Sequence, residues 1–256
     1  TSTHDTKRSE DVRARLGVLS EMPERWQAVL ERWSTMNSAK KTIEDDRDGN
    51  PMAAPDSNDE YLLYQSLLGA WPINPSADQG QQDSVCFPLL PPQSSEEWND
   101  FCQRIVAYMQ KATKEAKVHT SWVQPNQDYD TAVQEFIYRI LDTSKENEFL
   151  QDIFAFAQHI AWCGQFNALS QLLLKLTSPG VPDVYQGTEL WNLSLVDPDN
   201  RRPVDFGLRQ QFLAEMKQRL MQHGEDLTHL THELLDTSDD GRIKLYLMYR
   251  TLAFRR

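Results

Sequence analysis

Apolar residues recur at helical spacing along most of the chain. Val12, Leu16 and Leu19 mark one helix from Glu10 to about Ser20, and Trp26, Val29, Leu30 and Trp33 mark a second from Pro23 to about Lys41. A charged turn cluster, Asp45 to Pro51, interrupts the pattern. Asn58 is the predicted N-cap for a helix through Tyr64, Leu67, Leu68 and Trp71, which Pro72 stops. Residues 72–93 hold five prolines and read as a long loop. Ser94 and Glu97 have capping-box spacing, and behind them Trp98, Phe101, Cys102, Ile105, Met109, Ala112 and Ala116 share one face. Val133, Phe136, Ile137, Ile140 and Leu141 predict a further helix. Phe149, Ile153, Phe156, Ile160, Ala161 and Gly164 open a long one reaching Leu176.

The pattern then changes. Ser178 to Gly187 is rich in breakers and β-prone at its centre, so it predicts a loop feeding a brief buried strand near Val181–Gln186. Leu208, Phe212, Met216 and Leu220 restore the helical period, and Ile243, Leu247 and Leu252 suit a helix or a strand over Lys244–Tyr249. Alternating strand patterns are otherwise scarce. The fold class expected is mainly α, at least half helical, with very little strand.

Composition narrows the function classes. At 256 residues the chain is long enough for one large domain or two small ones. With 39% apolar and 25% charged residues it is not disordered, and no run approaches the roughly 18 apolar residues of a membrane span. A net charge of −12 argues against nucleic acid and anionic membranes as partners, and suits a neutral ligand such as a sugar without selecting one. The three cysteines, Cys86, Cys102 and Cys163, are odd in number and unpaired in spacing, which favours a reducing, cytoplasmic setting. The chain opens on Thr1 with no leader pattern and closes on an apolar segment ending in Arg255-Arg256, so a piece of a longer protein is expected.

Candidate chemistry is sparse. His4-Asp5-Thr6-Lys7-Arg8 gathers an imidazole, a carboxylate and two cations in five residues. Such a cluster reads either as a solvated chain end with Asp5 capping a helix, or as a site in which Asp5 binds hydroxyls or stabilises a cation. His119, His159, His223, His229 and His232 show no ligand spacing, so no metal is expected. There is no nucleophile elbow and no glycine-rich phosphate loop, and Cys102 and Cys163 fall on apolar helix faces as inert thiols. Trp98 and Trp162 sit in helical stripes and read as core. Trp122, in the loop Thr120–Asn126, is the aromatic better placed to stack on a sugar ring.

Four blocks, in order, resemble the maltooligosyl trehalose synthase family. They are His4 to Arg15, Lys114 to Asn126, Leu176 to Glu189, and Asp197-Pro198-Asp199-Asn200-Arg201-Arg202-Pro203-Val204-Asp205. The resemblance spans essentially the whole chain. It implies an α-amylase-type (β/α)8 barrel enzyme that re-links the reducing-end glucose of an α-1,4 maltooligosaccharide as α,α-1,1. It implies that residues 1–20 are the end of barrel strand seven and the following helix, and that residues 21–165 are a helical insertion. Residues 166–223 would hold a barrel helix, strand eight and the final barrel helix, and residues 224–256 would begin a C-terminal region. Asp5 would be the transition-state carboxylate and His4 a hydroxyl partner beside it. Lys7 would hold the glucose that turns over, and Arg8, Trp122, Tyr185, Gln186 and Glu189 would line the substrate. No cofactor is implied. The family's nucleophile and general acid lie on earlier strands, so the partners expected are the maltooligosaccharide and the rest of the parent chain, and the chain alone is expected to be inactive. Alternatives at this stage are a non-catalytic helical module and part of an amylase-like α-glucan hydrolase.

Overall fold

A computed structural model describes residues 1–45, 50–73, 96–223 and 226–255. Over half of the chain is α-helix, as the periodicity predicts: α1 (Glu10–Gly17), α2 (Pro23–Asn37), α3 (Ser57–Ala70), α4 (Glu96–Ala116), α5 (Gln127–Ile140), α6 (Glu148–Thr177), α7 (Phe206–His223), α8 (Thr228–Asp236) and α9 (Arg242–Arg255). Among the described residues the one sheet is a hairpin of β1 (Thr42–Asp45) and β2 (Pro51–Ala54), with Thr42 opposite Ala54. The chain divides into two compact units, one of Val18–Trp71 with residues 96–160, the other of Thr1–Gly17 with residues 72–73 and 161–255.

The first unit is built around aromatic rings. Trp33 is fully buried and meets Tyr64, Phe149 and Phe156 edge-on at 5.4, 5.6 and 5.8 Å, the geometry ring quadrupoles favour. Its indole N–H donates to Asp152 at 2.5 Å, so the polar edge of the ring is satisfied inside the core. Trp71, Trp98 and Phe101 form a second aromatic group, with centroids 5.3–5.7 Å apart. Helices α4 and α5 turn their apolar stripes inward, burying Ile105, Met109, Val133, Phe136 and Ile137. The N-cap of α3 is Asp56, whose carboxylate accepts from the Asp59 N–H at 2.8 Å; Asn58, the predicted cap, lies inside the helix. Asp56 takes the position because its backbone is still extended, so its side chain can reach back to the third helical residue.

The second unit contains α1, residues of α6 from Ala161 on, and α7 to α9. Helices α1 and α6 approach closely at Gly164, where an added Cβ would fall 2.7 Å from Arg15 Cγ and 2.8 Å from Arg15 Cα. One strand expectation is corrected and one open alternative is decided. Residues 181–186 are not a strand, and Val181 is 97% exposed; a lone extended segment with no neighbouring ladder cannot satisfy its backbone as a strand. Lys244–Tyr249 is helical within α9, which buries Ile243, Lys244, Leu245 and Met248. Among the described residues the strands that form take in Asp45 and Pro51, the two ends of the charged cluster, and four residues each are too few to show alternation. Trp162, expected in the core, is 61% exposed beside Phe166. Cys86, Ser94 and most of the predicted 72–93 loop lie outside the described residues.

Candidate functional site

The His4–Asp5 pair sits at the tip of a tight turn. Thr6 N–H donates to Thr3 O at 3.2 Å, and Thr3 N–H donates to the Thr6 hydroxyl at 2.8 Å. His4 Nε2 lies 3.1 Å from Asp5 Oδ2, and both side chains are exposed. Lys7 is exposed on the same segment and Arg8 is half-buried.

Both flanks of this turn are anchored. Arg8 forms an antiparallel bridge with Leu195, Ser9 N–H donates to Ser194 O at 2.9 Å, and the Ser9 hydroxyl donates to Asn192 O at 2.5 Å. Ser9 also accepts from Val12 N–H, so the residue that ends the segment caps α1. On the other flank Glu10 N–H donates to the Ser2 hydroxyl, and the Asn200 amide donates to Thr3 O at 3.2 Å and His4 O at 2.9 Å.

Beneath the segment lies a buried ionic group. The Lys244 ammonium is fully enclosed and donates to both Asp11 oxygens at 2.9 and 2.8 Å and to Leu190 O. Asp11 also accepts from Asn192 N–H at 2.7 Å, which joins the start of α1 to the 190–200 loop. Lys175 donates to Glu10 at 2.9 Å. Burial alone would raise the Glu10 carboxyl, but Lys244 and Lys175 outweigh it and hold it below its ordinary range. Burial draws Arg15 down to about 10, against the opposing pull of Asp11 and Asp239.

Tyr185 is half-buried and shares a cavity of about 10 Å3 with Ser2, Thr6, Thr188 and Asn200, beside the His4–Asp5 turn. Its carbonyl accepts from Thr188 N–H and hydroxyl at 3.1 and 2.6 Å. Gly187 follows in the left-handed region at φ 84°, where a Cβ would also press on Asn192 and Val204 at 3.2 Å. Gln186 is exposed on this turn. Glu189 pairs with Arg209 at 3.1 Å, while Arg209 donates to Gly187 O at 2.9 Å, so this carboxylate braces the turn. Trp122 belongs to the other unit. It is 62% exposed at the tip of a Ser121–Gln124 turn, and Lys114 Nζ lies 5.0 Å over its ring.

The structure thus places Tyr185 on a cavity that Thr3 and Thr6, on either side of His4 and Asp5, also line, and gives Glu189 a bracing partner. Sequence reasoning missed Asn192, Asn200, Asp11 and Lys244, although Asn200 lies in the fourth resembling block. It also missed a gathering of Asp56, Asp59 and His119, whose ligand atoms fall within 4.8 Å of one another. No spacing rule could find it, since Asp56 and His119 are 63 residues apart. Each member has an internal partner: His119 Nε2 lies 2.8 Å from Asp56 Oδ2, and the Tyr129 hydroxyl donates to Asp59 at 2.5 Å. The group therefore ties the 118–129 segment to the start of α3.

No family model matches the chain. Known proteins nevertheless align with it, and they define its class: it is related to enzymes far longer than itself, over one region of their length. Those enzymes are maltooligosyl trehalose synthases, to which the chain is homologous. A putative maltooligosyl trehalose synthase of Mycobacterium tuberculosis is 36% identical over 219 residues, covering 84% of this chain and 23% of that protein. A crystal structure of a maltooligosyl trehalose synthase matches the whole chain at 35% identity and a TM-score of 0.75, over 28% of its own length. The maltooligosyltrehalose synthase of Arthrobacter ramosus matches at 30% identity and 0.69, over 26%. The chain spans about a quarter of the length of these relatives. Among the described residues no helix is long and apolar enough to cross a membrane.

Proposed function

We propose that this chain is the part of a maltooligosyl trehalose synthase that supplies the His4–Asp5 turn to the active site. The observation that carries this reading is the turn itself. It presents an imidazole and a carboxylate at an exposed tip anchored on both flanks, in a chain homologous to such synthases. In this reading residues 1–20 and 166–223 are pieces of the catalytic barrel, 21–165 a helical insertion and 224–256 the start of a C-terminal region. The unpaired thiols of Cys102 and Cys163 suit a reducing cytoplasm.

The reaction is a retaining double displacement. A carboxylate elsewhere in the protein attacks the anomeric carbon as a second carboxyl protonates the departing 4-oxygen, and the α-1,4 bond breaks. The released glucose turns over and returns through its own anomeric hydroxyl, which gives its proton to the carboxylate left by the first step as the glycosyl–enzyme bond breaks and the α,α-1,1 bond forms. Asp5 binds ring hydroxyls most tightly as positive charge develops on the ring, and His4 supports a neighbouring hydroxyl. Lys7 retains the glucose while it reorients, so that water does not intercept the glycosyl-enzyme. Arg8, Tyr185 and Gln186 contact the chain of sugars, and Trp122, taken by itself on the other unit, is an exposed aromatic able to stack on a sugar ring. Glu189 acts through Arg209 by bracing the Gly187 turn.

Asp5→Asn in the complete protein tests this. Turnover on maltopentaose falls by orders of magnitude while the fold is kept, because the lost charge acts mainly in the transition state. A variant within threefold of wild type removes Asp5 from the mechanism. Lys7→Ala raises the ratio of free glucose to trehalosyl product; an unchanged ratio removes the retention role.

A further inference from the structure

We infer that Asn200 is a positioning residue for the His4–Asp5 turn, a role that deepens the synthase reading and rests on it for its kinetic consequence. The backbone of the turn is closed by bonds between Thr3 and Thr6. Those bonds do not fix the direction in which its tip points. The Thr3 and His4 carbonyls flank the tip, and both accept from the single amide nitrogen of Asn200. Two carbonyls on one side chain require a group with two N–H donors, which a hydroxyl or a carboxylate lacks. The pair of acceptors also settles which end of the amide faces the turn.

Asn200 is itself held. It lies in a 3-10 turn (Asp199–Arg201) whose Asp199 carboxylate accepts from Leu195 N–H at 2.7 Å. Leu195 is the residue that bridges to Arg8. The same loop therefore grips the segment at Arg8 and, five residues on from Leu195, at Thr3 and His4. A side chain that joins a held loop to a catalytic turn transmits position.

A further observation separates this role from simple stabilisation. Asn200 Oδ1 is buried with no hydrogen-bond partner. Within the protein only the donor end of the amide is engaged, and both of its bonds go to the turn. The small cavity that Asn200 lines is the size of one water or one hydroxyl group.

The decisive variant is Asn200→Asp, which keeps the shape and replaces two donors by an acceptor facing two carbonyls. In the complete protein, hydrogen exchange over residues 3–8 becomes at least tenfold faster, with the peptides of α6 unchanged. Turnover on maltopentaose falls at least tenfold, with KM changed less than threefold. The deficit relative to wild type narrows as the pH is lowered toward the carboxyl range, where the new carboxyl regains one donor. Asn200→Ala, which removes the donors without repulsion, shows the exchange effect if the Asp variant is poorly folded. Exchange over residues 3–8 within threefold of wild type in both variants overturns the inference whatever the activity. Fast exchange with a wild-type protein that forms no trehalosyl product leaves the positioning role standing and overturns the synthase reading.

Discussion

At the scale of single residues, polar groups inside the core fix how the chain start is held. Lys244 and Asp11 are each almost wholly enclosed, and they satisfy one another and the Leu190 carbonyl. Lys244→Met leaves a buried aspartate without its cation, and is expected to cost about 3–5 kcal/mol in urea unfolding. Glu10 has a checkable pH signature. Its folded pKa lies below the ordinary value, so its contribution is present above the unfolded pKa of about 4.3 and is lost as pH falls through the folded value. Glu10→Gln should accordingly flatten the loss of melting temperature between pH 5 and 3. Cys102 is the simpler case: burial pushes its thiol up to about 12, so it stays unalkylated by iodoacetamide at pH 8 in the native protein. The apolar stripe of the sequence already placed Cys102 on an inward face. Nothing in the sequence marked Lys244, because a lysine among Ile243, Leu245 and Leu247 reads as the polar member of a surface helix until its partner, 233 residues away, is seen.

At the scale of elements, helices followed their period and strands did not. The stripe Trp98 to Ala116 became α4, and Val133 to Ile140 became α5, because one-sided burial is written in 3.6-residue spacing. The hairpin was hidden by its shortness, and α8, only nine residues long, was not read from the sequence. Close approach of elements was equally hidden. Gly164→Ala places a methyl group against the backbone of Arg15, and is expected to destabilise by about 1–3 kcal/mol on thermal or chemical unfolding, the opposite of the usual gain from alanine in a helix. Asp56 allows cap and charge to be separated. Asp56→Ala should cost about 0.5–2 kcal/mol by loss of the N-cap, whereas Asp56→Asn keeps a capping oxygen and removes the charge that faces His119 and the helix N-terminus.

At the scale of the whole molecule, far-ultraviolet circular dichroism should be dominated by helix, with minima at about 208 and 222 nm, the expectation for a mainly α chain. The 256-residue chain by itself should form no non-reducing product from maltopentaose. Retaining transfer needs a nucleophile and an acid about 5 Å apart, and Asp5 alone cannot form a glycosyl-enzyme. Product above a heat-killed control would show that the chemistry had been assigned to the wrong groups. The sequence by itself determined the helical class, the inward faces of α4 and α5 and the segment in which His4 and Asp5 lie. Those features are local: a period or a short motif is complete within a few turns of chain. Only the tertiary structure decided that Val181–Gln186 is not a strand, that Glu189 braces a turn through Arg209, and that Asn200 reaches back to His4. Each of these depends on a partner far away in sequence, and a backbone ladder, an ion pair or a forked amide exists only when both of its halves are in place.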